Sequence, residues 1–323
     1  MNKLFIARII ILIFMLIICF STYLLLKKEY FNSSQPKIYI GRNQWYRNFA
    51  KKIFHDFQLL ETNQFNAGRK DISIYSSISY NPSIFAMKNI LIDGEPFSIK
   101  NTKADVIITT KKDKNLLPTK NAKIIYIPHY SMSFAECNMS PYLLLKKHIP
   151  KKTKFCAYAA SNCNKNMEGV QMREDFFDIF NAYNKVDVLG KCHGRTQINK
   201  INLIVKNKKI STEPNWINNI KLFEPYKFVI SFENSFIDGY ITEKIIIPML
   251  AGAIPIYMGS KDIGEHFNEK SFIHARNFNS LDLLAKEVIR INNDDDLYNK
   301  ILNEPWLFKL GKHFEWYTND KFY

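Results

Sequence analysis

Short apolar runs alternate with polar stretches along the first half of the chain. Each run has three to five residues, is rich in isoleucine and valine, and is followed by residues of loop or helical character. Runs of this length are typical of buried strands, because a buried helix needs a longer apolar pattern. The pattern predicts strands at 37–40, 71–75, 90–92, 106–109 and 124–127. We therefore expect a first α/β domain over residues 37–150.

The alternation continues after Pro150 and the charged KKTK, which together mark a domain boundary. Strands are predicted at 155–160, 186–189, 228–232 and 253–258, and helical spacing of apolar residues predicts a helix at 173–183. We expect a second α/β domain over 151–305 and a C-terminal segment over 306–323. A chain of 323 residues with 46% hydrophobic content can form two cores.

Residues 4–26 are almost uninterruptedly apolar and have lysine or arginine near both ends. As a helix they would span roughly 35 Å, which is enough to cross a bilayer. A cleaved signal peptide is the alternative, but no convincing small-residue cleavage site follows. We predict a cytoplasmic tail at 1–3, an uncleaved anchor at 4–26 and a stem at 27–36. A type II orientation would place the large domain on the side of the membrane opposite the cytoplasmic tail.

The formal net charge of +15 fits an anionic small substrate, an anionic membrane surface or nucleic acid. The lysines are spread in pairs such as Lys51-Lys52, Lys111-Lys112 and Lys151-Lys152, without a basic helix or a recognisable nucleic-acid module. We expect most of them to be solvated and predict no nucleic-acid partner.

Five cysteines are present, and Cys19 falls within the predicted anchor. The other four, Cys137, Cys156, Cys163 and Cys192, match no zinc-site spacing. Disulfides in an oxidising compartment and free buried thiols both fit the pattern. If bridges form, four cysteines allow three connectivities.

Residues 226–278 concentrate ionisable side chains between two apolar runs. The predicted strand 228–232 leads into a polar loop, and an apolar segment of helical length begins at Glu243 and Lys244. The N-terminus of a helix favours phosphate, and a lysine there adds a full positive charge. With the strand at 253–258, the order strand, loop, helix, strand is a nucleotide-binding topology. We therefore predict a sugar-nucleotide site.

Asp294, Asp295 and Asp296 match the D-x-D pattern with which some glycosyltransferases hold a nucleotide-bound metal. They lie late in the chain and outside the predicted nucleotide unit, where acidic residues before a helix are typical of an N-terminal cap. We predict a cap and expect no metal to be required, since basic side chains can neutralise the phosphates.

Two blocks of sequence resemble the alpha-1,3-fucosyltransferases, family 10 of the glycosyltransferases. The first block is FENSFIDGYITEK at 232–244, followed by AGAIPIYMGS and by SFI with the downstream Phe278. The second is AYAASN at 157–162, then Arg173 with Phe176, then VDVLGKC at 186–192. The matching blocks span roughly 155–278, whereas the first half matches weakly, best at 92–96. The resemblance implies a GT-B fold, in which two Rossmann-like domains face a cleft and the second holds GDP-fucose.

The resemblance also implies roles for residues of the donor half. Lys244 and Arg173 would neutralise the diphosphate, Lys244 as a point charge and Arg173 as a bidentate fork. Glu243 would accept hydrogen bonds from sugar or ribose hydroxyls. Asn234 and Tyr240, on the preceding loop, would contact the donor or support that loop. GDP-fucose is thus the expected donor substrate, with no further cofactor.

The general base should come from the first half of the chain. Glu95 is the candidate, because it lies between Gly94 and Pro96 on a loop after the strand at 90–92 and the family's base lies in a comparable loop. His129 and Glu136 are the alternatives, each with a structural or solvated role as the competing interpretation.

Together these features predict inverting transfer of L-fucose from GDP-fucose to a hydroxyl of an N-acetylglucosamine-type or glucose-type glycan, most simply in alpha-1,3 linkage. N-acetyllactosamine and N-glycans are the expected acceptors, and the Golgi membrane is the expected location if the source is eukaryotic. The alternatives are a GT-B enzyme with another sugar nucleotide and an inactive, membrane-tethered glycan-binding module.

Overall fold

The structure is a computed structural model. The predicted tail, anchor and stem lie outside the residues that it describes, as does most of the C-terminal segment after residue 311. Among the helices of the described part, none has the length and apolar character needed to span a bilayer. The described residues are 37–41, 46–55, 57, 59–62, 71–77, 85–99, 102–117, 122–193, 217–311 and 314.

Six parallel strands form the first sheet, in the order β2-β1-β3-β4-β5-β6. The five predicted strands are confirmed within two residues at each end, and β2 was missed because LLET has too few apolar residues to form a pattern. Strand β4 is buried along nearly its whole length, as expected of a parallel strand covered on both faces. The strands are β1 Ile38–Gly41, β2 Leu59–Thr62, β3 Ile72–Ser76, β4 Lys88–Asp93, β5 Val106–Thr109 and β6 Lys123–Tyr126.

Two helices pack on this sheet, α1 at Arg47–Ile53 and α2 at His129–Glu136. Helix α1 buries Phe49 and Ile53 in the core of the first domain. The two helices are joined where Oε2 of Glu136, at the end of α2, accepts hydrogen bonds from the backbone N-H groups of Asn48 and Phe49, at 3.0 and 3.2 Å. Glu136 therefore satisfies unpaired donors at the start of α1.

Five parallel strands form the second sheet, in the order β11-β10-β9-β7-β8. The four predicted strands are confirmed, and β11, with only two residues, was missed. The core beside the second sheet includes a stack of aromatic rings. The ring centroid of Phe176 lies 5.1 Å from that of Phe180 and 5.2 Å from that of Phe232. The strands are β7 Lys154–Tyr158, β8 Val186–Val188, β9 Tyr226–Phe232, β10 Ile254–Met258 and β11 Ile273–His274.

Helices cover the second sheet, and the predicted helix at 173–183 is confirmed as the later part of α3. Asp294 caps α7, with its side chain accepting a hydrogen bond from the N-H of Leu297 at 2.9 Å, so the predicted cap is confirmed. The helices are α3 Glu168–Tyr183, α4 Asn218–Phe223, α5 Glu243–Leu250, α6 Leu281–Asn292 and α7 Asp295–Asn303. Short 3-10 segments occur at Lys114–Leu116, Pro141–Leu145, Ile263–Glu265, Glu269–Ser271 and Ala275–Asn277.

The carboxyl edge of the first sheet contacts the loop that follows β9. The backbone N-H of Lys112 donates to the carbonyl of Asp238 at 2.8 Å, and the hydroxyl of Tyr126 donates to the carbonyl of Gly239 at 2.9 Å. Gly239 has φ +83°, and a Cβ there would lie 2.8 Å from atoms of both Lys112 and Tyr126. Glycine is required here because the backbone is left-handed and the two halves touch. The carboxyl edges of the two sheets therefore face each other.

One disulfide joins Cys163, after β7, to Cys192, after β8. Cys137 and Cys156 are free thiols. The sequence left disulfides and free thiols equally open for these four cysteines, and the structure has one disulfide and two free thiols. The bridge ties together two loops at the carboxyl edge of the second sheet.

Candidate active site

A cavity of about 450 Å³ opens at the carboxyl edge of the second sheet. Its walls are the segment after β7, the end of β9 and the first turn of α5. This is the edge at which open parallel α/β sheets bind ligands. Four of the predicted donor-site residues line it, namely Arg173, Asn234, Glu243 and Lys244.

Helix α5 begins at this cavity, as the sequence predicted. Thr242 is its N-cap, and its hydroxyl accepts a hydrogen bond from the backbone N-H of Lys244 at 3.3 Å. The segment that follows is almost entirely buried, so the start of the helix is held in place by its own apolar face. The positive end of the helix and the ammonium of Lys244 thus lie together at the cavity wall.

Glu233 is a buried carboxylate that supports this helix start. Its side chain is fully buried, and it accepts hydrogen bonds at 2.7 Å from both the N-H and the hydroxyl of Thr242. Nζ of Lys244 lies 3.3 Å from its Oε2. Burial raises the pKa of Glu233, with Lys244 opposing that effect. Burial alone would lower the pKa of Lys244, but the carboxylates of Glu243 and Glu233 raise it, which keeps the ammonium charged.

Glu243 faces the cavity between two cationic or polar partners. Its Oε1 lies 3.7 Å from Nζ of Lys244, and its Oε2 lies 3.6 Å from Nδ1 of His129 on α2 of the first domain. Burial opposes ionisation, yet Lys244 and His129 lower the pKa of Glu243 below its ordinary value. Glu243 is therefore an ionised acceptor suited to hydroxyl groups.

Arg173 lines the cavity but is also a structural brace. Its guanidinium donates to the side-chain oxygen of Asn234 at 3.1 Å and to the carbonyls of Phe232 and Asn162 at 3.3 and 2.6 Å. These bonds join the ends of β7 and β9. They use both terminal nitrogens of the guanidinium, the two groups that a bidentate contact with phosphate would need. The sequence revealed the positive charge, but the carbonyl partners depend on tertiary contacts.

Tyr240 has a different position from the other predicted donor residues. It is buried and is absent from the lining of this cavity. Its ring packs edge-on against His129, with centroids 6.3 Å apart, between the two halves of the molecule. Support of the donor loop, one of the two roles expected for it, is the role that this position favours.

Glu95 follows β4 at the carboxyl edge of the first sheet and is half-buried. Burial and the nearby carboxylate of Asp93 raise its pKa, against opposing effects of Lys244 and Lys111. Its carboxyl group is thus within electrostatic range of the cationic residue at the start of α5. Lys244 thus acts on the charge of Glu95 although the two residues are 149 positions apart in the sequence.

Lys111 is a site residue that the sequence analysis misjudged. Most lysines were expected to be solvated, but the side chain of Lys111 is an exception, since it is fully buried and forms an ion pair with Asp93. Nζ also donates to the backbone carbonyls of Glu95 and Phe97, at 2.7 and 2.6 Å. The ammonium can be buried because three acceptors replace its water. Its place directly after the buried strand β5 was the available sequence signal.

The two alternative bases have other partners. Glu136 caps α1, as described above. The side chain of His129 is 20% exposed, and its partial burial lowers its pKa, with opposition from Glu243. Its Nδ1 also lies 3.2 Å from the hydroxyl of Ser133 on the same helix. Both arrangements favour structural roles.

Asp262, Glu265 and His266 lie close enough together to hold a metal ion. The ammonium of Lys112 already lies among them, in contact with the carboxylate of Asp262 and 3.0 Å from that of Glu265. The pKa of Lys112 is raised by these carboxylates despite the opposing effect of burial. A lysine that follows β5 of the first sheet thus supplies the positive charge at this cluster.

The description of the matching family model is "Glycosyltransferase family 10 (fucosyltransferase) C-term", and the match covers residues 149–321, just over half of the chain. The fold and the site define an α/β protein of two parallel sheets with a nucleotide-type cavity at the edge of the second. The chain belongs to glycosyltransferase family 10. Glu95 lies outside the matched region, whereas the other predicted site residues lie inside it.

Curated relatives agree with this assignment, and a solved structure shares the fold. The chain is 34% identical over 306 residues to "Putative fucosyltransferase R654" of Acanthamoeba polyphaga mimivirus, covering 87% of this chain and 46% of that protein. It is 30% identical over 173 residues to "Alpha-(1,3)-fucosyltransferase FucT" of Helicobacter pylori, covering 54% and 32%. The chain thus spans less than half the length of these relatives. The structure of an alpha1,3-fucosyltransferase with GDP-fucose has the same fold, with a TM-score of 0.60, 21% identity and coverage of 86% and 85%.

Proposed function

We propose that this protein transfers L-fucose from GDP-fucose, with inversion, to a hydroxyl of an N-acetylglucosamine-type or glucose-type glycan in alpha-1,3 linkage. The observation that carries the proposal is the cluster of Glu243 and Lys244 at the start of α5, beside the cavity and within electrostatic range of Glu95. Family membership supports fucose as the transferred sugar.

The donor half, proposed as 151–305, would hold GDP-fucose in the cavity. Its volume of about 450 Å³ is in the range of small-molecule sites. The ammonium of Lys244, the N-terminus of α5 and the charge of Arg173 would stabilise the diphosphate as it leaves. Glu243, ionised and facing the cavity, would accept hydrogen bonds from hydroxyls of the donor.

The first half, proposed as 37–150, would present the acceptor to Glu95. The carboxylate takes the proton of the acceptor hydroxyl while the hydroxyl oxygen forms a bond to C1 of fucose. The bond from C1 to the phosphate oxygen breaks on the opposite face, and GDP leaves with the electron pair. Attack opposite the leaving group inverts the configuration at C1.

We also propose that residues 4–26 anchor the protein as a single-pass type II membrane protein, in the Golgi if the source is eukaryotic. The length and charge flanks of that segment support this part of the proposal. N-acetyllactosamine and N-glycans are the proposed acceptors. No metal is required in this mechanism, since the basic groups that line the cavity neutralise the diphosphate.

The test is to incubate the full-length protein in detergent with GDP-fucose and with N-acetyllactosamine, lactose or chitobiose, and to measure GDP release and product linkage. Lys244→Ala is expected to lower kcat/KM by about 10²- to 10³-fold, the range found for loss of one charge-stabilising group. Glu95→Gln is expected to lower it by about 10²- to 10⁴-fold. Lys286→Ala, which changes an exposed lysine on α6, serves as the control.

Transfer from GDP-mannose or a UDP-sugar, with none from GDP-fucose, would favour the other-donor alternative. Glycan binding without turnover of any donor would favour the binding-module alternative. Either result would overturn the proposed function.

A further inference from the structure

Phe97 exposes 60% of its surface, whereas most phenylalanines of the described residues lie in the cores. A single exposed aromatic residue is ordinary on a protein surface, and the feature that distinguishes Phe97 is its position. Phe97 lies two residues after Glu95, on the loop at the carboxyl end of β4. Successive Cα atoms are about 3.8 Å apart, so the two Cα atoms are separated by no more than about 7 Å.

The loop that carries Phe97 is held by a buried charge. Nζ of Lys111 donates to the carbonyl of Phe97 at 2.6 Å and to that of Glu95 at 2.7 Å, while it pairs with Asp93. A buried ammonium is costly to desolvate and is stable only with all its donors satisfied. One ammonium therefore holds the backbone on both sides of Pro96, so the attachment points of the ring and of the carboxylate are fixed relative to each other. A backbone held in this way loses little conformational freedom when a ligand binds to the loop.

The ring also lies on the acceptor side of the proposed reaction. Gly94, beside Glu95, packs against Tyr46, whose ring lies 6.2 Å from that of His129 between centroids. Nδ1 of His129 lies 3.6 Å from Oε2 of Glu243, which lines the donor cavity. Phe97 itself is absent from the lining of that cavity. A ring beside the base but outside the donor cavity lies where the sugar that presents its hydroxyl would be placed.

We propose that Phe97 is a platform for the acceptor sugar and that its ring packs against the C-H face of the pyranose being fucosylated. This inference rests on the proposed function and adds the recognition of the acceptor. Glucose and N-acetylglucosamine in β configuration carry their ring substituents equatorially, so axial C-H bonds cover both faces. Those weakly positive hydrogens complement the negative face of an aromatic ring. The packing would orient one hydroxyl toward Glu95.

The test compares Phe97→Ala, Phe97→Trp and Phe85→Ala in the full-length protein, with GDP-fucose and N-acetyllactosamine as substrates. Phe85 is the matched control, because it exposes 61% of its surface near the opposite end of the same strand. We expect Phe97→Ala to raise the acceptor KM about tenfold, which is the loss of one aromatic contact. The donor KM and the affinity for GDP, measured by calorimetry, should stay unchanged. Phe97→Trp should retain the acceptor KM of the parent protein, as should Phe85→Ala.

Three outcomes would overturn the assignment. If Phe97→Ala has an unchanged acceptor KM and normal transfer, Phe97 is not a platform for the acceptor, and the proposed function still holds. An equal loss of GDP affinity would show that the ring acts on the donor or on the fold. If the parent protein transfers fucose to none of N-acetyllactosamine, lactose or chitobiose, the proposed function fails, and this inference fails with it.

Discussion

Nζ of Lys244 lies 3.3 Å from Oε2 of Glu233, a carboxylate whose side chain is fully buried. The same carboxylate binds the N-H and the hydroxyl of Thr242, the N-cap of α5. A buried negative charge behind the helix start thus balances the positive groups that face the cavity. The ammonium stays charged and in place before any diphosphate arrives.

Replacement of Glu233 by alanine should therefore destabilise the protein. The change leaves the partly buried ammonium of Lys244 without one of its partners and removes the acceptor of two Thr242 donors. We expect the free energy of unfolding to fall by about 3 kcal/mol, the usual cost of breaking a buried pair. Urea unfolding measures it. Glu233→Gln, which keeps an acceptor oxygen, should lose less, and an equal loss in both variants would contradict the role of the hydrogen bonds.

The buried pair of Lys111 and Asp93 should behave as one unit. Lys111→Met alone leaves a buried carboxylate unpaired, and Asp93→Asn alone leaves a buried ammonium, so each should lower the free energy of unfolding by about 3 kcal/mol. The double variant should lose clearly less than the sum of the two. A double-mutant cycle by urea unfolding checks this, and additive losses would show that the pair is not coupled.

The pH profile should report Glu95. Its pKa is raised mainly by burial, and a general base acts only when it is deprotonated. As the pH falls through this raised pKa, the carboxyl takes up a proton and kcat/KM should decrease. The midpoint of the acid limb should therefore lie at a higher pH than the ordinary pKa of a glutamate, which is about 4.3. Glu95→Gln should abolish the limb in the residual activity, and an unchanged limb would assign it to another group.

The disulfide should stabilise the donor side of the molecule. Cys163 and Cys192 are 29 positions apart, and a bridge over such a loop contributes about 3 to 4 kcal/mol in the chain-entropy model. The bridged Cys163 directly follows Asn162, which lines the cavity and binds Arg173. We expect Cys163→Ser to lower both Tm and the affinity for GDP. Cys137→Ser, at a free thiol, is the control and should change neither.

Gly239→Ala should weaken the contact between the two halves. A Cβ at this left-handed position would meet Lys112 and Tyr126 at 2.8 Å. We expect a loss of about 1 to 2 kcal/mol from the backbone conformation alone, with more from the clash. Gly311→Ala is the control, because a Cβ there has no heavy atom within 4 Å. Thermal unfolding of both variants measures the difference, and equal Tm values would contradict the expectation.

Most strands and the start of the donor-side helix followed from local sequence. Buried parallel strands are short runs of β-branched residues, and the Thr242 cap before an apolar segment marks the start of α5. The same local pattern identified Asp294 as a cap. Strand β2 was not predicted because half of its residues are polar, and β11 was not predicted because it has only two residues.

The sequence alone determined the α/β class, most of the parallel strands, the family resemblance and the candidate residues of the donor half, since these depend on residue type, order and local spacing. Only the tertiary structure decided that Lys111 is buried beneath the loop of Glu95 and that the guanidinium of Arg173 donates to backbone carbonyls. The tertiary structure also brought His129 next to Glu243, from the other half of the chain. Such contacts depend on which strand ends meet in space. Burial and pairing are properties of the folded chain, so a lysine on the surface and a lysine in the core have the same letter in the sequence.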